Sequence, residues 1–317
     1  MDAATTFVED SLNGVIWNLV PWFLVAAGVY FGLRTLFVQI RMVPDMFKAV
    51  SERPKGKDRE GRDLDEEYGG LSAFKAFTIS AASRVGTGNI AGVALAISIG
   101  GPGAVFWMWM LALLGGATAF VESTLAQLWK TKDSDGNYHG GPAYYMTRGL
   151  GWKPLAVIFS AFLAVTYGFV YNAIQTNSIA EAVGGSLGND SVALKAVVAG
   201  VIAVLTALVI FGGVTRIASW TQVIVPFMAG AYILIGIAVV VINWREIPGM
   251  VELIVGHAIG LEQVAGAGVG AAFAQGMRRG LFSNEAGMGS APNAAATATV
   301  SHPVKQGLVQ TLSLIHI

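Results

Sequence analysis

The chain has 317 residues, of which 54% are hydrophobic and 13% charged, with a mean hydropathy of +0.59 and a formal net charge of zero. About a quarter of the residues of a soluble domain are charged, so much of this surface must face something other than water. Zero net charge gives no field that would attract nucleic acid. The absence of cysteine excludes disulfides and thiolate metal sites, and the four scattered histidines form no metal-binding pair, so we expect neither a metal centre nor a cofactor.

Apolar segments long enough to cross a bilayer follow one another along the chain, because about 20 helical residues span the hydrocarbon core. The first is expected to be retained rather than cleaved as a signal, since the residues before it are acidic and include no Lys or Arg. An eighth segment begins near Pro303. The seven complete segments are residues 15–38, 74–99, 103–129, 154–183, 194–213, 217–243 and 264–299.

The basic residues predict the orientation, because cytoplasmic loops of membrane proteins are rich in Lys and Arg. The mixed-charge loop 41–73 and the polar connection 130–153 both lie on the basic side, whereas the opposite side has only Lys195 and Arg245. The N-terminus is therefore predicted to be outside the cell membrane. The basic side carries Arg34, Arg41, Lys48, Arg53, Lys55, Lys57, Arg59, Arg62, Lys75, Lys130, Lys132, Arg148, Lys153, Arg216 and Lys305.

Two of the spans are interrupted near their centres. In the second span, residues 86–89 read Gly-Thr-Gly-Asn, a poor helix, since each glycine costs about 1 kcal/mol relative to alanine. The seventh span is too long for one straight crossing, and residues 276–292 are rich in glycine and ionisable side chains. Unpaired backbone at membrane depth survives only where it is buried or lines a cavity.

The two interruptions are predicted to run in opposite directions, five helices apart, as in a five-helix inverted repeat. Paired breaks of this kind indicate the binding site of a secondary transporter. The alternative for each glycine-rich patch is close helix packing. Arg84, Arg278 and Arg279 fall inside apolar segments. For Arg278, Arg279 and Glu285 the alternative is a structural ion pair or a side chain reaching an interface. For Glu122 we expect a structural pair.

Several motifs resemble the sodium:alanine (alanine/glycine:cation) symporter family, in the same order and over nearly the whole chain. The run 100–115, Gly-Gly-Pro-Gly-Ala-Val-Phe-Trp-Met-Trp-Met and onward, is similar to the family signature, although Trp107 and Trp109 themselves favour packing and interfacial anchoring. The other matching motifs lie at residues 83–89, 140–145, 175–178 and 279–290.

The resemblance implies an all-α, leucine-transporter-type inverted-repeat bundle with one extra N-terminal helix, forming a single transmembrane domain. The extra helix is 15–38, the first repeat is 74–243, and the second repeat begins at 264–317 and is incomplete. We therefore expect the 317-residue chain by itself not to transport, since an ion site of this architecture draws on a later helix.

The resemblance also implies a function, sodium-coupled symport of alanine or glycine into the cell, with no enzymatic activity. The sodium ion is expected to bind the carbonyl of Gly86 and the side chain of Asn89. Asn172 and Gln175 are three residues apart and share one helix face; the resemblance places them in the pocket, and an interhelical hydrogen bond is the alternative. The implied substrate-binding residues are Gly86, Thr87, Gly88, Asn89, Asn172, Gln175, Phe282, Ser283 and Asn284.

Two rival functions remain open. A proton-coupled amino-acid carrier of the same fold would use Glu122 or Glu285 as its relay. An intramembrane hydrolase is the remote alternative, because residues 184–188 (Gly-Gly-Ser-Leu-Gly) match the nucleophile-elbow pattern. That motif follows no predicted strand and has no nearby histidine, so the pattern alone favours no hydrolase.

Overall fold

The computed structural model describes residues 7, 13–52, 71–134, 136–260 and 266–315. The predicted all-α class is confirmed, apart from a small antiparallel hairpin that pairs Thr131–Lys132 with Tyr138–His139. The predicted span limits differ from the helices by no more than about four residues at either end. The α-helices are Asn13–Arg34, Val38–Arg41, Val43–Ser51, Ala73–Arg84, Thr87–Gly100, Gly103–Leu128, Pro142–Arg148, Lys153–Val165, Tyr171–Leu187, Val192–Ile210, Gly213–Ile242, Ile247–Ile259, Gly266–Asn284, Ser290–Ala296 and Pro303–Ile315.

Five of the described helices are long and apolar enough to cross a membrane. The two interrupted spans do not count among these five, since their halves are too short or too polar. The third long helix contains a π-helical turn at Thr166–Val170, and a 3₁₀ turn, Trp244–Glu246, follows the last. The five are Asn13–Arg34, Gly103–Leu128, Lys153–Leu187, Val192–Ile210 and Gly213–Ile242.

The structure adds helices that the apolar runs did not predict. Ile247–Ile259 begins with a proline at its second position and packs beside the start of Gly103–Leu128, where Gly103 lies against the Ala258 backbone. Val43–Ser51 lies inside the predicted loop 41–73, so that segment is not all loop; residues 53–70 of it lie outside the described residues.

Gly103–Leu128, hereafter the central helix, forms the middle of the bundle. The two interrupted spans, the first long helix and Pro303–Ile315 all pack against it. Small residues let the backbones approach: a side chain at Gly276 would lie 2.6 Å from Trp107 Cβ. Trp107 also packs edge-on against Phe273, with ring centroids 4.9 Å apart, as its predicted packing role requires.

The predicted cytoplasmic ends of the two interrupted spans are joined by backbone. Leu71 N donates to Thr297 O at 3.0 Å, and Thr299 N donates to Leu71 O at 2.8 Å. Lys130 Nζ donates to Ala298 O at 2.6 Å and lies 4.0 Å from the centroid of the Tyr138 ring. This tie fixes the relative position of the two spans at one end of the bundle.

Candidate substrate site

The first break consists of two extended residues. Val85 (φ −83°, ψ 96°) and Gly86 (φ −156°, ψ −159°) leave the helical region after Arg84, and the helix resumes at Thr87. The first amides of the resumed helix lack a helical partner, and Gln175 Oε1 accepts a hydrogen bond from Thr87 N at 3.3 Å. The unwound part is thus shorter than the predicted 86–89, since the helix already includes Thr87.

The second break is longer and is built on left-handed backbone. Gly266–Asn284 ends, and the chain continues through Glu285 (φ 52°), Gly287 (φ 81°) and Gly289 (φ 93°) before Ser290 begins the next half-helix. Glycine adopts positive φ without steric cost, whereas a non-glycine residue such as Glu285 does so only where its surroundings hold it. The predicted interruption near residue 284 is therefore present.

The central helix holds this second break in shape. Asn284 Oδ1 accepts a hydrogen bond from Ala286 N at 3.0 Å, and Asn284 Nδ2 donates to Leu111 O at 3.4 Å. One face of the same helix brings Glu122 Oε1 to Gly287 N at 3.3 Å. Glu122 thus bonds to the backbone of the break, which is a different role from the structural ion pair that we expected.

The two breaks lie against each other. Ser283 Oγ donates to Asn89 Oδ1 at 2.6 Å, across nearly two hundred residues of sequence. A side chain at Gly88 would lie 2.8 Å from Phe282 Cδ1, so only glycine lets the two helices come this close. The positive end of the half-helix that starts at Thr87 therefore meets the negative end of the helix that finishes at Asn284.

Three aromatic rings form one wall beside the breaks. Tyr167 stacks on Tyr171 with centroids 4.9 Å apart, and Tyr171 stacks on Phe282 at 5.3 Å. Tyr171 Oη also lies 3.6 Å from Met288 Sδ. No motif of the sequence marks these tyrosines, although Tyr167, Tyr171 and Gln175 are spaced four residues apart and so form one row along the helix.

Buried ionisable groups lie directly beside the breaks. Glu285 Oε2 accepts hydrogen bonds from Ser83 Oγ at 3.1 Å and Ser290 Oγ at 2.6 Å. Arg84 is 2% exposed and donates from Nη1 to Gln310 O at 3.1 Å. Its Nε and Nη2 have no hydrogen-bond partner among the residues that the structure describes. Charge at this depth is costly and is usually retained for function.

The structure does not bring Asn172 to this cluster. Its side chain is exposed and donates to two carbonyls of its own helix, Tyr167 O at 3.2 Å and Gly168 O at 3.0 Å. Both carbonyls belong to the π-helical turn Thr166–Val170. The expectation that Asn172 shares a pocket-facing surface with Gln175 is therefore corrected.

The remaining implied substrate residues lie at the two breaks, close to one another. They come from three separate helices and supply backbone ends, three side-chain amides, two hydroxyls and one aromatic ring. Groups of three or more His, Asp or Glu that could hold a metal are not found among the described residues. The residues at the breaks are Gly86, Thr87, Gly88, Asn89, Gln175, Phe282, Ser283 and Asn284.

Long apolar helices around two interrupted ones that meet at their breaks define a multi-pass membrane transporter. A comparison with known families agrees. The model of the sodium:alanine symporter family matches residues 1–316, so the chain belongs to that family, which consists of transporters rather than enzymes.

Named relatives extend this comparison. The chain is 52% identical to the amino-acid carrier protein AlsT of Bacillus subtilis, over 94% of this chain and 61% of AlsT. It is 44% identical to the probable sodium/glutamine symporter GlnT of the same organism, over 96% of this chain and 61% of GlnT. It is 39% identical to the sodium/alanine symporter AgcS of Methanococcus maripaludis, over 95% of this chain and 65% of AgcS. The chain thus spans less than two thirds of the length of these relatives.

Proposed function

We propose that this chain forms the substrate-binding part of a sodium-coupled symporter that carries a small neutral amino acid, alanine or glycine, into the cell. The observation that carries the proposal is the contact between the two breaks, where Ser283 Oγ bonds to Asn89 Oδ1. The names of AlsT, GlnT and AgcS, which refer to amino-acid, glutamine and alanine carriers, support the substrate class.

The chemistry of the breaks suits a zwitterion. An amino acid needs partial positive and partial negative charge within a few ångströms, without a net charge that would have to be desolvated. The half-helix that begins at Thr87 presents its positive end to the carboxylate, and the last carbonyls of Gly266–Asn284 suit the ammonium group. Glycine at positions 86 and 88 lets backbone approach the ligand, and Phe282 limits the size of the substrate side chain.

The sodium ion is assigned to oxygens of the first break. Sodium prefers hard oxygen ligands, and among the described residues the Gly86 carbonyl accepts one backbone hydrogen bond, from Asn89 N at 3.2 Å. A carbonyl oxygen has two lone pairs, so one remains for the ion. The Asn89 side-chain oxygen completes the pair that we propose as ligands.

We further propose the cell membrane as the location, with the N-terminus outside, on the basis of the uneven distribution of Lys and Arg. In this orientation Ala73–Arg84 is the cytoplasmic half of its span and Gly266–Asn284 the external half of the other. The opposite directions of the two spans support the inverted-repeat arrangement, with Asn13–Arg34 as the additional helix.

The test is uptake of labelled alanine by proteoliposomes that contain the protein expressed from its complete reading frame. An inward sodium gradient should drive accumulation above the external concentration, and choline in place of sodium at constant pH should abolish it. Equal uptake in sodium and in choline would refute sodium coupling. Uptake that equilibrates without accumulation would indicate a passive channel instead.

A proton-coupled carrier is the second candidate, because Glu122 and Glu285 are both buried beside the breaks. This candidate predicts that a pH gradient alone, without sodium, drives alanine into the same vesicles. Accumulation under that condition would favour it over sodium symport.

A further inference from the structure

Two neighbouring arginines occupy the last turns before the second break but face different surroundings. Arg278 is exposed, and its guanidinium lies 5.7 Å from the centroid of the Trp17 ring, at the periphery. Arg279 is half-buried and faces the first interrupted span, where its Cδ would lie 3.8 Å from a side chain at Gly92. Only Arg279 therefore points toward the helix that carries the first break.

The register places Arg279 directly next to the proposed substrate site. Ser283 follows Arg279 by four residues, and Gly92 follows Gly88 by four, so each pair lies on one helix face. A Cβ at Gly88 would lie 3.5 Å from Ser283 Oγ, and one at Gly92 would lie 3.8 Å from Arg279 Cδ, as consecutive steps of one antiparallel helix interface. Arg279 thus lies one turn, about 6 Å along the axis, beyond Ser283 on the side away from the break.

The Arg279 guanidinium has no counter-charge in the described part of the chain. Its Nε is buried and has no hydrogen-bond partner there, and the ion pairs found among those residues involve other basic groups. A charged side chain at membrane depth is costly unless it meets a partner. The planar fork of arginine binds a carboxylate through two parallel hydrogen bonds.

We propose that Arg279 forms an outer subsite that binds the carboxylate of the incoming amino acid before the substrate reaches the two breaks. This inference rests on the proposed function and orientation, which place Arg279 on the external side of the site. The ammonium group of the substrate would then face the carbonyl end of Gly266–Asn284, one turn deeper. The subsite selects for a free carboxylate, whereas Phe282 and the glycines select for size.

The experiment compares Arg279→Gln with Arg278→Gln in the proteoliposome assay, over a range of alanine concentrations. Arg279→Gln should raise KM about tenfold or more, as expected when a charge-assisted hydrogen bond is lost, with little change in the maximal rate. Arg278→Gln is the matched control and should leave KM within about twofold of the wild type. Alaninamide, which lacks the carboxylate, should inhibit uptake of labelled alanine by the wild type much less than unlabelled alanine does. In Arg279→Gln the inhibition by the two compounds should be more nearly equal.

Each outcome decides between the claims. The subsite is refuted if Arg279→Gln has the same KM as the wild type and discriminates against alaninamide equally well. It is also refuted if KM rises equally in Arg279→Gln and Arg278→Gln. If Arg279→Gln does not reach the membrane, Arg279→Lys decides, because lysine keeps the charge but loses the fork; an unchanged KM in that variant also overturns the subsite. Absence of sodium-driven alanine uptake in the wild type would refute the proposed function itself.

Discussion

Replacing Asn284 with alanine removes two hydrogen bonds that hold the second break in shape. The side chain is 4% exposed, so water cannot replace the lost partner of Ala286 N, whereas Leu111 O lies within the central helix and keeps its helical hydrogen bond. A buried polar group without a partner costs about 1–3 kcal/mol. The lost bond to Leu111 O is long, at 3.4 Å, and adds little, so we expect a total of about 1–3 kcal/mol. That cost falls on the five-residue break and should distort it before it unfolds the surrounding helices.

The assay pairs alanine uptake with thermal unfolding of the purified protein in detergent. Asn284→Ala should remain in the membrane, lose uptake, and unfold about 2–4 °C below the wild type. Asn177→Ala is the matched control, because Asn177 is exposed and its side chain donates to Glu181 on its own helix at 3.1 Å. An Asn284→Ala protein that transports normally and unfolds with the Asn177→Ala control would refute the reasoning.

Three further predictions concern single side chains. Asn89→Ala should abolish uptake while the protein stays in the membrane, because the proposed sodium ligand and the partner of Ser283 are both lost; wild-type uptake removes Asn89 from the site. Asn172→Ala should keep the KM for alanine within about twofold of the wild type, since the hydrogen bonds of Asn172 lie within its own helix. A tenfold rise in KM would show that Asn172 contributes to substrate binding. Burial lowers the pKa of Lys130 to about 7, from 10.5 in the unfolded chain. Between these pH values the unfolded chain binds more protons, so the free energy of unfolding should rise with pH. Thermal unfolding measured from about pH 7 to about pH 10 should show a smaller rise for Lys130→Met than for the wild type.

The position of both breaks could be predicted from the sequence because the signal is local. Glycine and asparagine at 86–89, and glycine with ionisable residues near 285, disfavour a continuous helix whatever surrounds them. The limits of the first break were less accurate, since Thr87–Asn89 form the first turn of a helix once Gln175 supplies a partner to Thr87 N. Which side chain pairs with the end of a half-helix depends on tertiary structure, and the local sequence does not predict it.

The errors have similar physical causes. Asn172 and Gln175 share a face of an ideal helix, but the π-helical turn before them offers carbonyls that hold the Asn172 side chain away from the breaks. Glu122 accepts a hydrogen bond from Gly287 N, so its role depends on the position of Gly287. The conformation of the second break sets that position, and the sequence of the central helix does not reveal it. The role of a side chain that bonds to the backbone of another segment therefore cannot be predicted from the residues next to it in sequence.

The backbone tie at Leu71 constrains how the molecule can move. Two hydrogen bonds join the residue just before the first interrupted span to the strand-like stretch just after the second. A movement that separates these two ends would break both hydrogen bonds and leave their amides unpaired. A movement in which the two ends shift together keeps both bonds and therefore costs less free energy. The two half-helices that adjoin this tie, Ala73–Arg84 and Ser290–Ala296, are then expected to shift together.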